Sequence, residues 1–376
     1  MELRGAVDGA SAPSVFVLFR DSPLRRAALD APPGSAERYW LFGADQLAER
    51  GFPVRHNLEA GIRRRVRHRV ADRLLRRSVE AAGGYAGDFA TVLASRRAAN
   101  ASDVVFSTVD TVGIPAVLLA RARLVRPPLV YASIGLLERV ARLRTRRARR
   151  LYREAFARVA AIVAYGDAEA EALRDWLGAE SRVHFVPFGV DADWFRPAEG
   201  VDPVVDVVSI GADPRRDYEL LARVAARMPD RIFGVVASAD QARALALPPN
   251  LAVDVGVPFA EIRDRLAAAR VVALPVRENL YTGATTTLLQ AMAMAKPVVV
   301  SRTAAIATGY ELVDGENCRL VPPGDPEAFE AAVAELLAHP YAAHELGRRA
   351  RATVERHLTW ERYVDAIADV LRAAAA

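Results

Sequence analysis

Along this chain, short uninterrupted apolar runs alternate with longer stretches in which apolar residues recur every three or four positions. SVFVLF (Ser14 to Phe19) opens the series, and DVVFSTV, PLVYASI, AAIVAYG (Ala160 to Gly166) and VHFVPFG follow. Such runs, bounded by turn residues, predict buried strands, and the stretches between them predict helices. One helix is predicted to follow the loop DAPPGSAER and to end near Arg50-Gly51. This alternation is the pattern of a parallel sheet flanked by helices. A second α/β unit begins at DVVSIGAD (Asp206 to Asp213). It continues through a helix from Tyr218 to Arg227, strands IFGVVAS and LAVDVG, a helix from Phe259 to Ala269, and strand VVALPV. Between the two units, PFGVDADWFRPAEGVDP interrupts both periodicities. Two α/β domains with one linker predict a ligand cleft between them.

The most informative segment is LYTGATTTLLQAMAMAKPVVVSRT, Leu280 to Thr303. An apolar strand, Val271 to Val276, leads to a turn with one glycine and four threonines, then a helix, then a second buried strand at Pro297 to Val300. Strand, polar turn, helix and strand form the unit that cradles phosphate in α/β folds. Yet the segment holds no carboxylate, and its only formal charges are Lys296 and Arg302.

Composition narrows the class. Hydrophobic residues make up 52% and charged residues 26%, as in an ordinary globular protein. No apolar run approaches the roughly 20 residues needed to span a bilayer. The N-terminal stretch has no basic leader, so the expectation is a cytoplasmic protein. The single cysteine, Cys318, excludes an intramolecular disulfide, and the six histidines show no metal-ligand spacing.

Charge is uneven. Residues 1–190 hold 31 arginines against 20 acids, a balance of +11, whereas residues 191–376 hold 20 basic and 26 acidic residues, a balance of −6. The excess lies in RRRVRHRVADRLLRR (Arg63 to Arg77) and RVARLRTRRARRLYR (Arg139 to Arg153), both predicted as amphipathic helices with an arginine face. A solvated helix face explains these runs most simply; contact with anionic lipid, at the inner membrane face, or with an anionic acceptor is the sharper reading. Nucleic acid is not expected, because no recognised binding module accompanies them.

VHFVPFGVDADWFRP, VVSIGADPRRDYELLARV, EIRDRLAAARVVALPV with TGATTTLLQAMAMAKPVVVS, GYELVDGENCRLVPPGDPEAFEAAVAELL and LTWERYVDAIADVL succeed one another over residues 183–372. In order and spacing they resemble family-4 retaining glycosyltransferases of the GT-B fold, in which two Rossmann-like domains face each other across a cleft. The first half resembles that family only in strand and helix order and in the small-residue loop at Gly34-Ser35. The resemblance implies an acceptor-binding domain over 1–190, a nucleotide-sugar-binding domain over 191–355 and a C-terminal helix over 356–376 packing back toward the first domain. It further implies transfer of a sugar from a UDP or GDP sugar, a co-substrate rather than a cofactor, without a metal. The acceptor would be a small molecule, a glycan or a lipid-linked molecule.

This chain departs from the family where the chemistry is expected. The family has a glutamate at each end of a nine-residue span, the first touching the donor sugar and the second the ribose. Here those positions are Thr282 and Gln290. A glutamine can still accept from a ribose hydroxyl through its amide oxygen. Glu278 lies near enough in sequence to reach the sugar, although its register differs. Many relatives also carry a histidine after the strand corresponding to LVYAS, where this chain has Ser133-Ile134-Gly135.

Stabilising a departing diphosphate without metal calls for fixed donors. The backbone amides of Gly283, Ala284 and Thr285 stand at a helix start, where the macrodipole favours an anion. Arg215 and Arg216 stand where the resemblance places the cationic clamp, and Arg216, by its register before Asp217-Tyr218, is the preferred of the two. The expected catalytic residues are thus Arg216 and Thr282, with Gly34, Arg215, Glu278, Gly283, Ala284, Thr285 and Gln290 as further donor contacts. Lys296 is read as a helix-end cation, Arg277 as either a sugar contact or a solvated neighbour, and Asp110 and Glu138 as residues near acceptor-domain strand ends. The missing G-x-G-x-x-G fingerprint counts against a dehydrogenase. Two other classes remain open: a sugar-nucleotide 2-epimerase on the same fold, and a non-catalytic partner subunit that binds the nucleotide sugar.

Overall fold

A computed structural model describes residues 12–32, 35–178, 182–198, 200–281 and 283–376. The chain divides into two compact units. One comprises Met1–Val163, Arg174–His184 and Ala366–Ala376; the other comprises Ala164–Leu173 and Phe185–Asp365.

The first unit is built on β1 (Val15–Leu18), β2 (Val54–His56), β3 (Val104–Ser107), β4 (Leu129–Ser133), β5 (Ala161–Ala164) and β6 (Val183–Phe185). They lie in the order β2-β1-β3-β4-β5-β6, with β2, β1, β3 and β4 paired parallel. Its helices are α1 (Pro23–Asp30), α2 (Ala44–Glu49), α3 (Val66–Ala81), α4 (Phe89–Ala99), α5 (Asp110–Arg121), α6 (Leu136–Ala141) and α7 (Arg146–Phe156). Strands β1, β3, β4 and β5 are buried along their whole length, as expected of parallel strands covered on both faces.

Two helices expected from the sequence are broken. The one expected before Arg50 is a 3-10 segment, Ala36–Leu41, followed by α2, because Phe42 and Gly43 both adopt the left-handed conformation (φ 51° and 75°). The basic run from Arg139 to Arg153 likewise splits into α6 and α7, with Thr145 capping α7 through its side chain. The basic run from Arg63 becomes one helix, α3, but starts only at Val66.

Helix α8 (Asp167–Leu177) follows β5. The second unit contains β7 (Val205–Ile210), α9 (Tyr218–Arg227), β8 (Phe233–Ala237), α10 (Ala239–Ala244), β9 (Leu251–Val255), α11 (Phe259–Ala267), β10 (Ala269–Leu274), α12 (Thr285–Ala293), β11 (Val298–Ser301), β12 (Arg319–Val321), α13 (Pro326–Ala338) and α14 (Pro340–His357). Its sheet, β12-β11-β10-β7-β8-β9, is parallel throughout. Helices α9 and α13 pack Leu220, Leu221, Val224, Phe329 and Val333 with the strand residues Val207 and Phe233 into one apolar core. The final helix is α15 (Trp360–Ala375). The edge strands β2 and β12 are too short to leave a periodicity that sequence reading could detect.

Candidate functional site

In the second sheet the chain moves from β7 outward through β8 and β9, then returns to the other side of β7 and continues through β10, β11 and β12. The direction of winding therefore reverses between β7 and β10, and a crevice outside the carboxyl ends of those strands is where such sheets bind ligands. The two loops that leave these ends are locked together. Arg216 forms a β-bridge with Val276, the Asp217 amide donates to Pro275 O at 2.9 Å, and the Arg277 amide donates to Arg215 O at 2.8 Å. The Val276 amide is held in turn by Ser301 Oγ at 3.0 Å.

Arg216 lies inside this junction. Its residue exposure is 3%, and its guanidinium donates through Nη2 to Ile210 O, which also accepts from Thr287 Oγ1. Nε and Nη1 are buried without a hydrogen-bond partner. Burial pulls the Arg216 pKa down from its ordinary value, with Tyr218 and Asp213 opposing that shift. The fork lies flat against Gly211 (φ 154°), where a Cβ would stand 2.5 Å from Nε and Nη2. A glycine is required at that close approach. A buried cation with two idle donors is costly unless something fills them.

The turn before α12 contains no acid of its own, yet one is brought to it from the preceding loop. Asp213 Oδ1 accepts from the Tyr281 hydroxyl at 3.2 Å and from the Arg215 amide at 2.8 Å. Gly283 packs against this carboxylate so closely that a Cβ there would sit 2.8 Å from Oδ1. Gln241, on α10, holds the Asp213 backbone carbonyl at 2.8 Å. Burial raises the Asp213 pKa, while the Arg215 amide, the Tyr281 hydroxyl and the two arginine charges act the other way.

The remaining expected residues fall into clear groups. Ala284 is the N-cap of α12 and offers no side-chain cap, so the first amides of the helix depend on other partners. Thr285 is buried at the first helical position, and Gln290 is buried in the body of the helix with its Nε2 unpartnered. Arg215 is half-buried and contributes backbone bonds to the locked loops. Glu278 is exposed, and its Oε1 accepts the amides of Asn279 and Ala304 at 3.0 and 2.9 Å, so its carboxylate is engaged in holding the loop. Arg277 reaches Glu219 at 3.0 Å and Asp217 at 3.4 Å on the surface. The Lys296 ammonium closes the end of α11 by donating to Ala267 O and Ala269 O, at 2.6 and 2.9 Å. Gly34 and Thr282 lie outside the described residues.

The Thr287 hydroxyl, expected from the sequence as a further donor in this turn, instead donates to the Ile210 carbonyl that Arg216 uses. Sequence reading missed two participants. Asp213 could have been found as an acid just past the end of the strand at which the winding reverses. Asn279 is buried, with Nδ2 on Arg277 O at 2.7 Å and Oδ1 unpartnered, and nothing in its sequence context marks it. Among the described residues, no group of three or more His, Cys, Asp or Glu side chains could hold a metal ion.

The first sheet has its own reversal, between β1 and β3. There Asp110 opens α5 and is 2% exposed. Its carboxylate accepts from the Tyr131 hydroxyl, from Arg139 Nε at 2.5 Å and from the Ile134 amide at 3.1 Å. Burial raises the Asp110 pKa against the pull of Arg139 and Tyr131, and the Arg139 guanidinium stacks 3.9 Å from the Tyr85 ring centre. Tyr85 in turn bonds Thr111 Oγ1 at 3.0 Å. Arg20, Asp21, Arg64, Arg73, Tyr85 and Thr111 are among the residues around an open groove of about 1000 Å³ in this region.

Comparison with known proteins agrees with this architecture. Residues 206–339 match the family model of glycosyl transferases, group 1. An MMP alpha-(1->4)-mannosyltransferase of Mycolicibacterium hassiacum is 27% identical over 266 residues. That alignment covers 65% of this chain and spans 58% of the relative's own length. Sucrose-phosphate synthase from Thermosynechococcus elongatus has a TM-score of 0.69 at 15% identity, covering 96% of this chain and 98% of that one. HepE from Anabaena, solved in complex with UDP-glucose, has a TM-score of 0.66 at 14% identity, covering 96% and 99%. The fold is GT-B, with two parallel six-stranded Rossmann-like sheets.

Proposed function

We propose that this protein moves a sugar from a nucleoside-diphosphate sugar to an acceptor, with retention of anomeric configuration and without a metal. The observation that carries the reading is the buried Arg216 guanidinium, whose Nε and Nη1 lack partners at the point where the second sheet reverses its winding. A diphosphate supplies the charge and the oxygens that this fork needs. As the glycosidic bond to the leaving diphosphate breaks, Arg216 and the amides of Gly283, Ala284 and Thr285 stabilise the growing charge. Gln290 holds the ribose through its amide, and Asp213 contacts the donor sugar. Asp213 then takes over a task that the family gives to an acid inside the turn. UDP and GDP sugars are the proposed donors; the solved HepE complex holds UDP-glucose and the Mycolicibacterium hassiacum relative is named a mannosyltransferase, which supports a hexosyl donor.

The first unit supplies the acceptor side, a small molecule, a glycan or a lipid-linked molecule. The protein works in the cytoplasm, at the inner face of an anionic membrane. Labelled donor incubated with and without candidate acceptors, after a thermal-shift screen across nucleoside diphosphates, tests the reading. Transfer with the product in the donor's anomeric form supports it. Conversion of the donor sugar alone would make the protein an epimerase, and binding without turnover would make it a non-catalytic subunit.

A further inference from the structure

Helix α3 has an unusual outer face. None of its sixteen residues is buried, and Val66, Val70 and Leu74 are 66%, 50% and 60% exposed. Their spacing of four places them on one side of the helix, in a ridge about 12 Å long. The opposite side, with Ala71, Asp72, Leu75 and Val79 half-buried, rests on the unit, and Asp72 accepts the Ala90 amide of α4 at 3.2 Å. Solitary exposed apolar residues are common, but three in register on one helix are not explained by the packing.

Arginines dominate the charges around the ridge, with Glu80 the exposed acid of the helix. Arg67, Arg69, Arg73 and Arg77 are exposed, and among the described residues none of the four forms an ion pair. Arg76 pairs with Glu80 at 3.5 Å. The arginine-rich α7 continues the surface. The Arg144 amide, just before it, donates to Ala82 O at 2.9 Å, and Gly84 lies against the Tyr152 hydroxyl of α7. Leu151, 41% exposed, stands among the arginines of that helix. Among the described residues no helix is long and apolar enough to cross a membrane.

We propose that α3 lies in the interface of an anionic phospholipid bilayer, with Val66, Val70 and Leu74 sunk among the acyl chains and Arg67, Arg69, Arg73 and Arg77 on the lipid phosphates. An apolar ridge bordered by cations matches both layers of such a surface. Arginine stems lie along the apolar boundary while their heads reach the headgroups. A nucleic acid would engage the arginines but leave the ridge unused. This inference rests on the membrane reading above and assigns it to one helix and one mode of binding; it does not depend on the donor.

Co-sedimentation of the full chain with phosphatidylglycerol–phosphatidylcholine vesicles, and with pure phosphatidylcholine vesicles, tests it at low and high salt. The variants are Val66→Ser/Val70→Ser/Leu74→Ser and Arg69→Gln/Arg73→Gln/Arg77→Gln. All six side chains are exposed, so both variants are expected to keep the wild-type circular dichroism and nucleotide-induced thermal shift. The wild type is expected to prefer anionic vesicles and to retain part of its binding at high salt, where headgroup attraction is screened. The serine variant should bind about tenfold more weakly and lose that salt-resistant part. If the wild type ignores vesicles of both compositions, or binds duplex DNA instead, the membrane reading itself falls. If the wild type binds and the serine variant binds equally well, the membrane reading stands and insertion of α3 is overturned. The donor reading is unaffected by either result, because it is read from the nucleotide shift.

Discussion

The two sheets reverse their winding at corresponding places, and each reversal holds an arginine and an aspartate of which one is buried, Asp110 in the first and Arg216 in the second, but the two are finished differently. In the first unit Asp110 is fully satisfied by a tyrosine, an arginine and a backbone amide. In the second, Arg216 is buried with two donors idle and touches Asp213 only through space. Polar groups closed upon one another stiffen a fold, and a closed network has no further capacity for a ligand. Idle buried donors weaken the empty fold and reserve that energy for an anion. On the proposed reading, the difference separates a closed structural network from a site open to an anion.

The largest effect should come from opening the closed network. Asp110→Ala leaves Arg139 and the Tyr131 hydroxyl without their acceptor and is expected to cost about 3 kcal/mol. Urea unfolding measures this loss, and nucleoside diphosphate affinity should stay at the wild-type value. A variant of normal stability that no longer turns over would instead place Asp110 in the chemistry.

Arg216→Met should act with the opposite sign on stability. Removing an unpaired buried cation raises the melting temperature of the empty protein. The same change removes charge-assisted bonds of about 1.5–3 kcal/mol, so the dissociation constant for the best-shifting nucleoside diphosphate should rise roughly 10- to 100-fold, with turnover falling alongside. Calorimetric titration reads the affinity, and an unchanged constant would remove Arg216 from the site.

A smaller loss is expected from Gln290→Ala. Its buried amide has an unpartnered Nε2, and loss of a ribose contact should raise the donor dissociation constant about tenfold, or 1.4 kcal/mol. Wild-type affinity in this variant would move the ribose elsewhere.

The mildest change is Asp213→Asn. Its folded pKa is raised by burial, so the ionised carboxylate destabilises the fold, in full above that folded pKa, and the cost fades as the pH falls through it. The asparagine variant should therefore melt higher than the wild type at neutral pH, with the gap narrowing toward the ordinary carboxylate range near about 4. It should also bind a nucleoside diphosphate a few-fold more tightly while losing discrimination between donor sugars. Equal melting of the two proteins across the pH range would show that this carboxylate bears no burial cost.

Much of the architecture could be read directly from the chain. The buried strands from Ser14 to Phe19 and from Asp206 to Asp213, the helix from Tyr218 to Arg227 and the strand–turn–helix around Gly283 are local patterns of burial and turn chemistry, and the structure contains each of them. Such patterns are legible because side-chain periodicity depends on near neighbours. The breaks at Phe42-Gly43 and at 142–145 were not legible, because apolar periodicity runs across them and only the packing of the segments decides where the helix stops.

The candidate site was legible in part. The sequence by itself singled out Arg216, Gly283 and Gln290, and it showed that the turn from Leu280 to Thr303 has no acid. Only the tertiary structure could bring Asp213, seventy positions earlier in the chain, against Gly283, or set the Arg216 fork over Gly211 with two donors unused. Glu278, attractive by its distance along the chain, proved committed to the Ala304 amide. Sequence fixes which groups are available and the local geometry of each. Which groups meet, and which are left without a partner, depends on strand order and burial, properties that no single segment carries.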